Sequence, residues 1–184
     1  MNQETVHYLN MVLGAGAIIL QIFSIYAILA LFFGPKQNKF LDFTEKHFLT
    51  ISFFIVLFSS LFSMVYSEAI GYLPCKLCWY QRIFLFPQVF LFGIALWEKK
   101  RDIVKYATPL TGLGLIISVY QNFVYYFGAG SNSLICDASG TSCYEHLVSE
   151  FGGYISIPML ALAAFLALSA LLLVAHFYKK GILE

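Results

Sequence analysis

Five stretches of this chain are long and apolar enough to cross a lipid bilayer, and they restrict the fold before any motif is read. Met11 to Phe33, Phe48 to Tyr66 and Tyr106 to Phe127 carry no formal charge, Trp79 to Trp97 carries only Arg82, and Tyr154 to Tyr178 carries only His176. Each is close to the roughly 20 residues that span the hydrocarbon core as a helix. Within lipid every backbone N–H and C=O must find its partner inside the protein, which leaves helices or closed barrels. The runs are continuous rather than alternating, so helices are expected. Composition agrees: 60% of the residues are hydrophobic and 11% charged, where soluble chains carry about a quarter charged. The expectation is an all-α membrane protein with no separate soluble domain. A net charge of +1 offers nothing to a nucleic acid. The first run resembles a signal peptide in position only. Met1 to Asn10 lacks Lys and Arg, whereas a signal peptide has a positive flank and a shorter apolar core. A retained span is expected.

The connections set an orientation. Lys36, Lys39 and Lys46 follow the first run, Lys99, Lys100, Arg101 and Lys105 follow the third, and Lys179 and Lys180 follow the fifth. With five crossings these all fall on one side. The other side receives Lys76 and, at the membrane edge, Arg82. The positive-inside rule then places the N-terminus outside and the C-terminus in the cytoplasm. All four cysteines fall outside: Cys75 and Cys78 between the second and third runs, Cys136 and Cys143 between the fourth and fifth. In an oxidising compartment an even set of cysteines can form disulfides.

Pro74-Cys75-Lys76-Leu77-Cys78-Trp79-Tyr80-Gln81-Arg82 is the stretch that carries chemistry. C-x-x-C holds two thiols close enough to close and open a small ring. Cys78 falls in the first turn of the third run, where the helix dipole and free N–H groups favour an anion. Arg82 lies four residues on, on the same helix face, and also favours a thiolate. An arginine inside an apolar helix costs roughly 2.5–3.5 kcal/mol or more at depth, so it needs a reason. Spacing alone leaves a redox centre and a static disulfide equally open. Gln121 and Asn122 come at about the depth of Arg82, one run further on, which suggests a polar pocket beneath the pair. Pure interhelical hydrogen bonding is the competing reading for each amide. Glu68 could pair with Arg82 or be a solvated helix-end carboxylate. Gln21 reads as a packing polar group. Gly14 and Gly16, and Gly112 and Gly114, suggest close helix approach. Cys136 and Cys143, in a glycine- and serine-rich connection, would be accessible to a partner. A short interfacial helix is plausible over Tyr144 to Phe151. Thiol–disulfide exchange needs a thiolate that reaches a disulfide sulfur. Two pairs on one face therefore read as a relay from a partner dithiol to a lipid-soluble acceptor. A quinone takes two electrons, lives in the bilayer, and would have its developing oxyanion met by Arg82.

Cys75-Lys-Leu-Cys78-Trp-Tyr-Gln-Arg82 resembles the signature of the DsbB/BdbC family of disulfide-generating membrane proteins, and Gly153-Tyr-Ile-Ser-Ile-Pro158 resembles the start of the last helix in its Gram-positive-like branch. The resemblance covers about His47 to Tyr178. It implies a four-helix transmembrane bundle over residues 47–184, with residues 1–46 an extra N-terminal helix and its cytoplasmic connection. It further implies a thiol:quinone oxidoreductase that reoxidises a DsbA-like thioredoxin-fold oxidase and reduces ubiquinone or menaquinone. In that reading Cys78 is the thiolate beside the quinone and Arg82 its electrostatic partner. Cys136 is attacked by the partner, and Cys143 links transiently to Cys75. The family's quinone-site histidine has no match; Gln121 or Asn122 occupies that region. Two alternatives stand beside this one. A vitamin K epoxide reductase-like enzyme places its C-x-x-C late and its loop pair first, the reverse of the order here. A non-catalytic membrane protein would hold two structural disulfides or one zinc ion on all four cysteines.

Overall fold

The structure, a computed structural model, describes residues 3–35, 38–127, 148 and 151–178. Five helices long and apolar enough to cross a membrane make up nearly all of it. They are α1 (Gln3–Phe33), α2 (Lys39–Met64), α3 (Lys76–Glu98), α4 (Ile103–Phe127) and α5 (Ile157–Leu173). Two of them end in a widened turn: α2 runs on through Val65–Ala69 and α5 through Val174–Tyr178. The expected class is therefore observed: an all-α membrane architecture with one helix per apolar run. Cys136 and Cys143, and all of Tyr144 to Phe151 except Val148 and Phe151, lie outside the described residues.

Local chemistry sets the boundaries. The Asn38 side chain caps α2 by accepting from the Phe40 N–H at 3.0 Å. Ser156 caps α5 by accepting from the Met159 N–H at 3.3 Å, with Pro158 in the first turn. There proline's missing N–H has no helical partner to lose. The α3–α4 connection turns at Lys99, which takes left-handed backbone at φ 52°.

Helices α2, α3, α4 and α5 close a four-helix ring, each packed on the next, and α5 returns to α2. The interior between them is apolar, built from Val56, Leu85, Phe92, Ala107, Phe165 and Leu168. Helix α5 is the most enclosed, because α1 covers its other flank. Gln21 fastens that flank: it accepts from the Tyr154 hydroxyl at 2.8 Å and donates to the Met159 sulfur at 3.1 Å. This is the packing role expected of it. α1 is thus an addition to a four-helix core.

Two of the expected close glycine contacts hold and two do not. A Cβ at Gly14 would press on Phe151 and Ile155, and one at Gly114 would run into the ring of Phe165. A Cβ at Gly16 or Gly112 would meet no described atom within 4 Å. The glycines are two residues apart in each pair, so they face different sides of their helix, and only one side is packed.

The two ends of the bundle differ in chemistry. At one end Arg101 pairs with the Glu45 carboxylate and donates to the Glu45 carbonyl at 2.9 Å, and the Tyr178 hydroxyl donates to Asp42 at 2.5 Å. The cysteine motif lies at the opposite end. Gly114→Ala should lower stability by about 1–3 kcal/mol, since the Phe165 ring must shift in a filled core. Gly112→Ala should stay within about 0.5 kcal/mol. Denaturant unfolding in detergent reads both, and equal losses would show that Phe165 does not pack as described.

Candidate functional site

The α2–α3 connection makes its turn at Gly71, φ 87°, and delivers Cys75 as the residue that opens α3. Cys78 follows in the first turn, and the two sulfurs lie 3.1 Å apart as free thiols. Cys75 is buried and Cys78 partly exposed.

The pair is held from the neighbouring helix. The Gln121 side-chain amide donates to Cys78 Sγ at 3.2 Å and to Cys75 Sγ at 3.4 Å. Gln121 is itself 2% exposed, so this amide serves the sulfurs and not solvent. Its Oε1 is buried with no hydrogen-bond partner among the described residues. The hydrogen bond to Cys78, with burial second, pushes the Cys75 thiol well above the usual thiol range. The Cys78 and Leu77 N–H groups act weakly the other way. At 3.1 Å either sulfur can donate to the other. Cys78 Sγ faces Cys75 Sγ, the Gln121 N–H and the N-terminal end of α3.

Arg82, one turn further, is 8% exposed. Its Nε donates to Ser63 Oγ at 2.9 Å, and its Nη2 to the Ser63 carbonyl at 2.7 Å and to Ser67 Oγ at 3.0 Å. The guanidinium also lies 5.2 Å from the Trp79 ring centroid, within cation–π range. Ser67 belongs to the widened turn at the end of α2. Glu68 is exposed. Among the described residues no carboxylate lies at hydrogen-bond distance from Arg82; neutral oxygens of α2 hold it.

The two amides divide. Gln121 reaches the sulfurs, while the Asn122 amide donates to the Ser118 carbonyl at 2.8 Å and to the Pro158 carbonyl at 2.9 Å. Asn122 ties α4 to α5 and does not join the expected pocket. Adjacent residues on a helix point about 100° apart, so only one of the two could face α3.

Cys75, Cys78, Arg82 and Gln121 share one cavity of about 740 Å³ whose remaining walls are mostly apolar side chains of α1, α2 and α5. Below it, α3 and α4 are joined by buried polar rungs: Gln81 to Ser118 at 3.1 Å and Thr111 to Gln88 at 2.9 Å. Sequence reasoning missed Ser63, Ser67 and Gln81. Gln81 and Gln88 lie seven residues apart inside an apolar run, and that spacing was the available sign of a polar seam. Two serines at the end of α2 carry no such sign.

A helical membrane bundle with a dithiol at the polar end of an apolar cavity defines a multi-pass membrane protein with a candidate redox site. The family model described as Disulfide bond formation protein DsbB matches residues 45–175. Probable disulfide formation protein C 2 of Bacillus anthracis is 40% identical over 136 residues, covering 74% of this chain and 95% of that protein. Disulfide bond formation protein C of Bacillus subtilis (strain 168) is 35% identical over 119 residues, covering 65% and 85%. Probable disulfide formation protein of Coxiella burnetii (strain RSA 493 / Nine Mile phase I) is 35% identical over 114 residues, covering 61% and 77%. No solved structure matches. The chain belongs to the DsbB family of disulfide bond formation proteins. The matched residues begin within α2 and leave α1 outside.

In the reduced protein, a limiting amount of a small maleimide should label Cys78 before Cys75. Peptide mapping reads the order, and prior labelling of Cys75 would contradict the deeper burial of that thiol.

Proposed function

We propose that the chain is a membrane thiol:quinone oxidoreductase that reoxidises a DsbA-like thioredoxin-fold dithiol oxidase. The observation that carries this reading is the single cavity shared by the C-x-x-C sulfurs, Arg82 and Gln121 and continued by apolar helix faces. Its polar end suits a ring with two oxygens and its apolar length suits a lipid-soluble molecule. The buried Oε1 of Gln121, without a partner among the described residues, suits a hydroxyl donor such as a reduced quinone ring.

A bound ubiquinone or menaquinone would supply an acceptor for two electrons and two protons. The chain's own residues do the rest. The partner's dithiol exchanges with a Cys136–Cys143 disulfide, leaving the partner oxidised and this pair reduced. The loop dithiol then exchanges with a Cys75–Cys78 disulfide, through a transient Cys143–Cys75 link. That exchange regenerates the loop disulfide and leaves two thiols at the cavity. Thiolate at Cys78 is sustained by the Gln121 N–H and the Cys75 S–H. Arg82, fixed by Ser63 and Ser67, holds a positive charge where negative charge develops. Fixed donors in a water-poor site are the preorganised electrostatics that stabilise such charge best. Residues 47–184 would form the redox bundle and residues 1–46 an added element. Positive-inside orientation would put the cysteine end outside and the Glu45–Arg101 end in the cytoplasm.

Purified protein given a reduced DsbA-like oxidase should consume the partner's thiols only when a quinone is present. Cys78→Ser should abolish turnover, and normal turnover by that variant would sink the relay. Arg82→Ala should lower quinone-dependent turnover by roughly 100-fold, the range for loss of one charge-stabilising donor, while partner binding stays unchanged. Unaltered quinone dependence would remove Arg82 from the role given to it.

A further inference from the structure

Helix α1 lies outside the residues that match the family, yet it reaches into the end of the bundle that carries the cysteines. There Asn10 Oδ1 accepts from the Tyr66 hydroxyl at 2.6 Å, and both side chains are buried. A carboxamide inside an apolar helix is costly unless it is hydrogen-bonded, and membrane helices use such groups to fasten one helix to another. Asn10 therefore fixes the end of α2 from the side, although α1 packs mainly on α5.

Tyr66 passes that hold towards the dithiol. It belongs to the widened turn at the end of α2, and its carbonyl accepts from the Tyr72 N–H at 3.0 Å. Its ring stacks on the Tyr72 ring, with centroids 6.1 Å apart and planes 17° from parallel. Tyr72 follows Gly71, whose positive φ turns the connection, and comes three residues before Cys75. One residue thus grips the connection twice, through its backbone and through its ring, just before the connection delivers the first cysteine. Tyr66, Tyr72 and Cys75 line the same cavity.

We propose that Asn10 is a positioning residue for the dithiol: through Tyr66 and Tyr72, the added helix holds the connection so that Cys75 stays within closing reach of Cys78. The inference rests on the cycling of Cys75 and Cys78 between dithiol and disulfide proposed above, and not on the identity of the acceptor. A connection held in place has less freedom left to lose when the two sulfurs join, which favours the disulfide. Released from Asn10, it leaves the dithiol relatively more stable.

The test uses the full chain in phospholipid nanodiscs with Cys136→Ser and Cys143→Ser, so that Cys75 and Cys78 are the only cysteines. The protein is equilibrated anaerobically in glutathione buffers of graded composition. One glutathione disulfide takes two electrons and two protons from the dithiol, giving two glutathiones and the Cys75–Cys78 disulfide. Acid quenching, alkylation and peptide mapping read the fraction closed. Asn10→Leu, which removes the acceptor at similar size, should shift the equilibrium about tenfold towards the dithiol, or about 30 mV. Tyr66→Phe, which removes the hydroxyl and keeps the ring, should shift it equally, and the two together no further than either alone. Asn10→Asp, which keeps an acceptor oxygen in that place, should retain the parent value. Gln21→Leu removes a clamp of α1 on the α5 flank and should leave the equilibrium unchanged. Unfolding midpoints check that each variant is folded. A purely structural Asn10 would lower the midpoint and leave the dithiol equilibrium where it was. That result in Asn10→Leu and Tyr66→Phe would overturn the proposal, as would an equal shift in Gln21→Leu. A parent protein in which no buffer closes the Cys75–Cys78 disulfide would overturn the relay reading itself, so the two failures are distinguishable.

Discussion

A guanidinium placed one turn inside an apolar helix has to be satisfied from within the protein, and much of the site follows from how Arg82 meets that demand. Neutral oxygens of α2 surround it: two hydroxyls and a carbonyl. They hold the positive charge in place, and no described carboxylate cancels it at contact distance. Had Glu68 closed an ion pair with it, the charge would have been largely consumed in that pair. Ser67, four residues beyond Ser63 and so on the same helix face, reaches Arg82 from within the widened turn at Val65–Ala69. Wide turns of this kind are frequent at functional sites.

Gln121 has a comparable part on the opposite side of the pair. One amide donates to both sulfurs, which orients the pair and fixes the seam between α3 and α4 at the same time. Gln81–Ser118 and Gln88–Thr111 continue that seam inward. Interhelical hydrogen bonds in membranes contribute on average only about 0.6 kcal/mol each, so the seam's chief effect is register: it sets which face of α4 meets the cysteines.

The fold was legible because its cause is a property of whole segments. Each long apolar run became one helix, and the distribution of Lys and Arg separated the two ends of the bundle before any helix was placed. The Cys75/Cys78/Arg82 grouping was legible for a similar reason, since a spacing of three or four residues on a helix fixes a shared face. What sequence could not resolve was azimuth. Gln121 and Asn122 are adjacent and chemically alike, yet one reaches the sulfurs and the other ties α4 to α5. Gly14 and Gly16 are likewise alike, yet one packs on Phe151 and Ile155 and the other lines the cavity. Ser63 and Ser67 became visible only once α2 was set against α3. In each case the deciding information is how a helix is rotated about its own axis, and nearly uniform apolar helices give little periodic signal for that rotation.

The central claim is that Cys75 and Cys78, with Arg82 and Gln121 around them, form a complete electron exit to a quinone. A single turnover isolates it most directly. The Cys136→Ser/Cys143→Ser protein, fully reduced and mixed anaerobically with one equivalent of quinone, should lose two thiols per quinone and yield the Cys75–Cys78 disulfide on peptide mapping. Thiols that persist beside bound quinone would contradict the account.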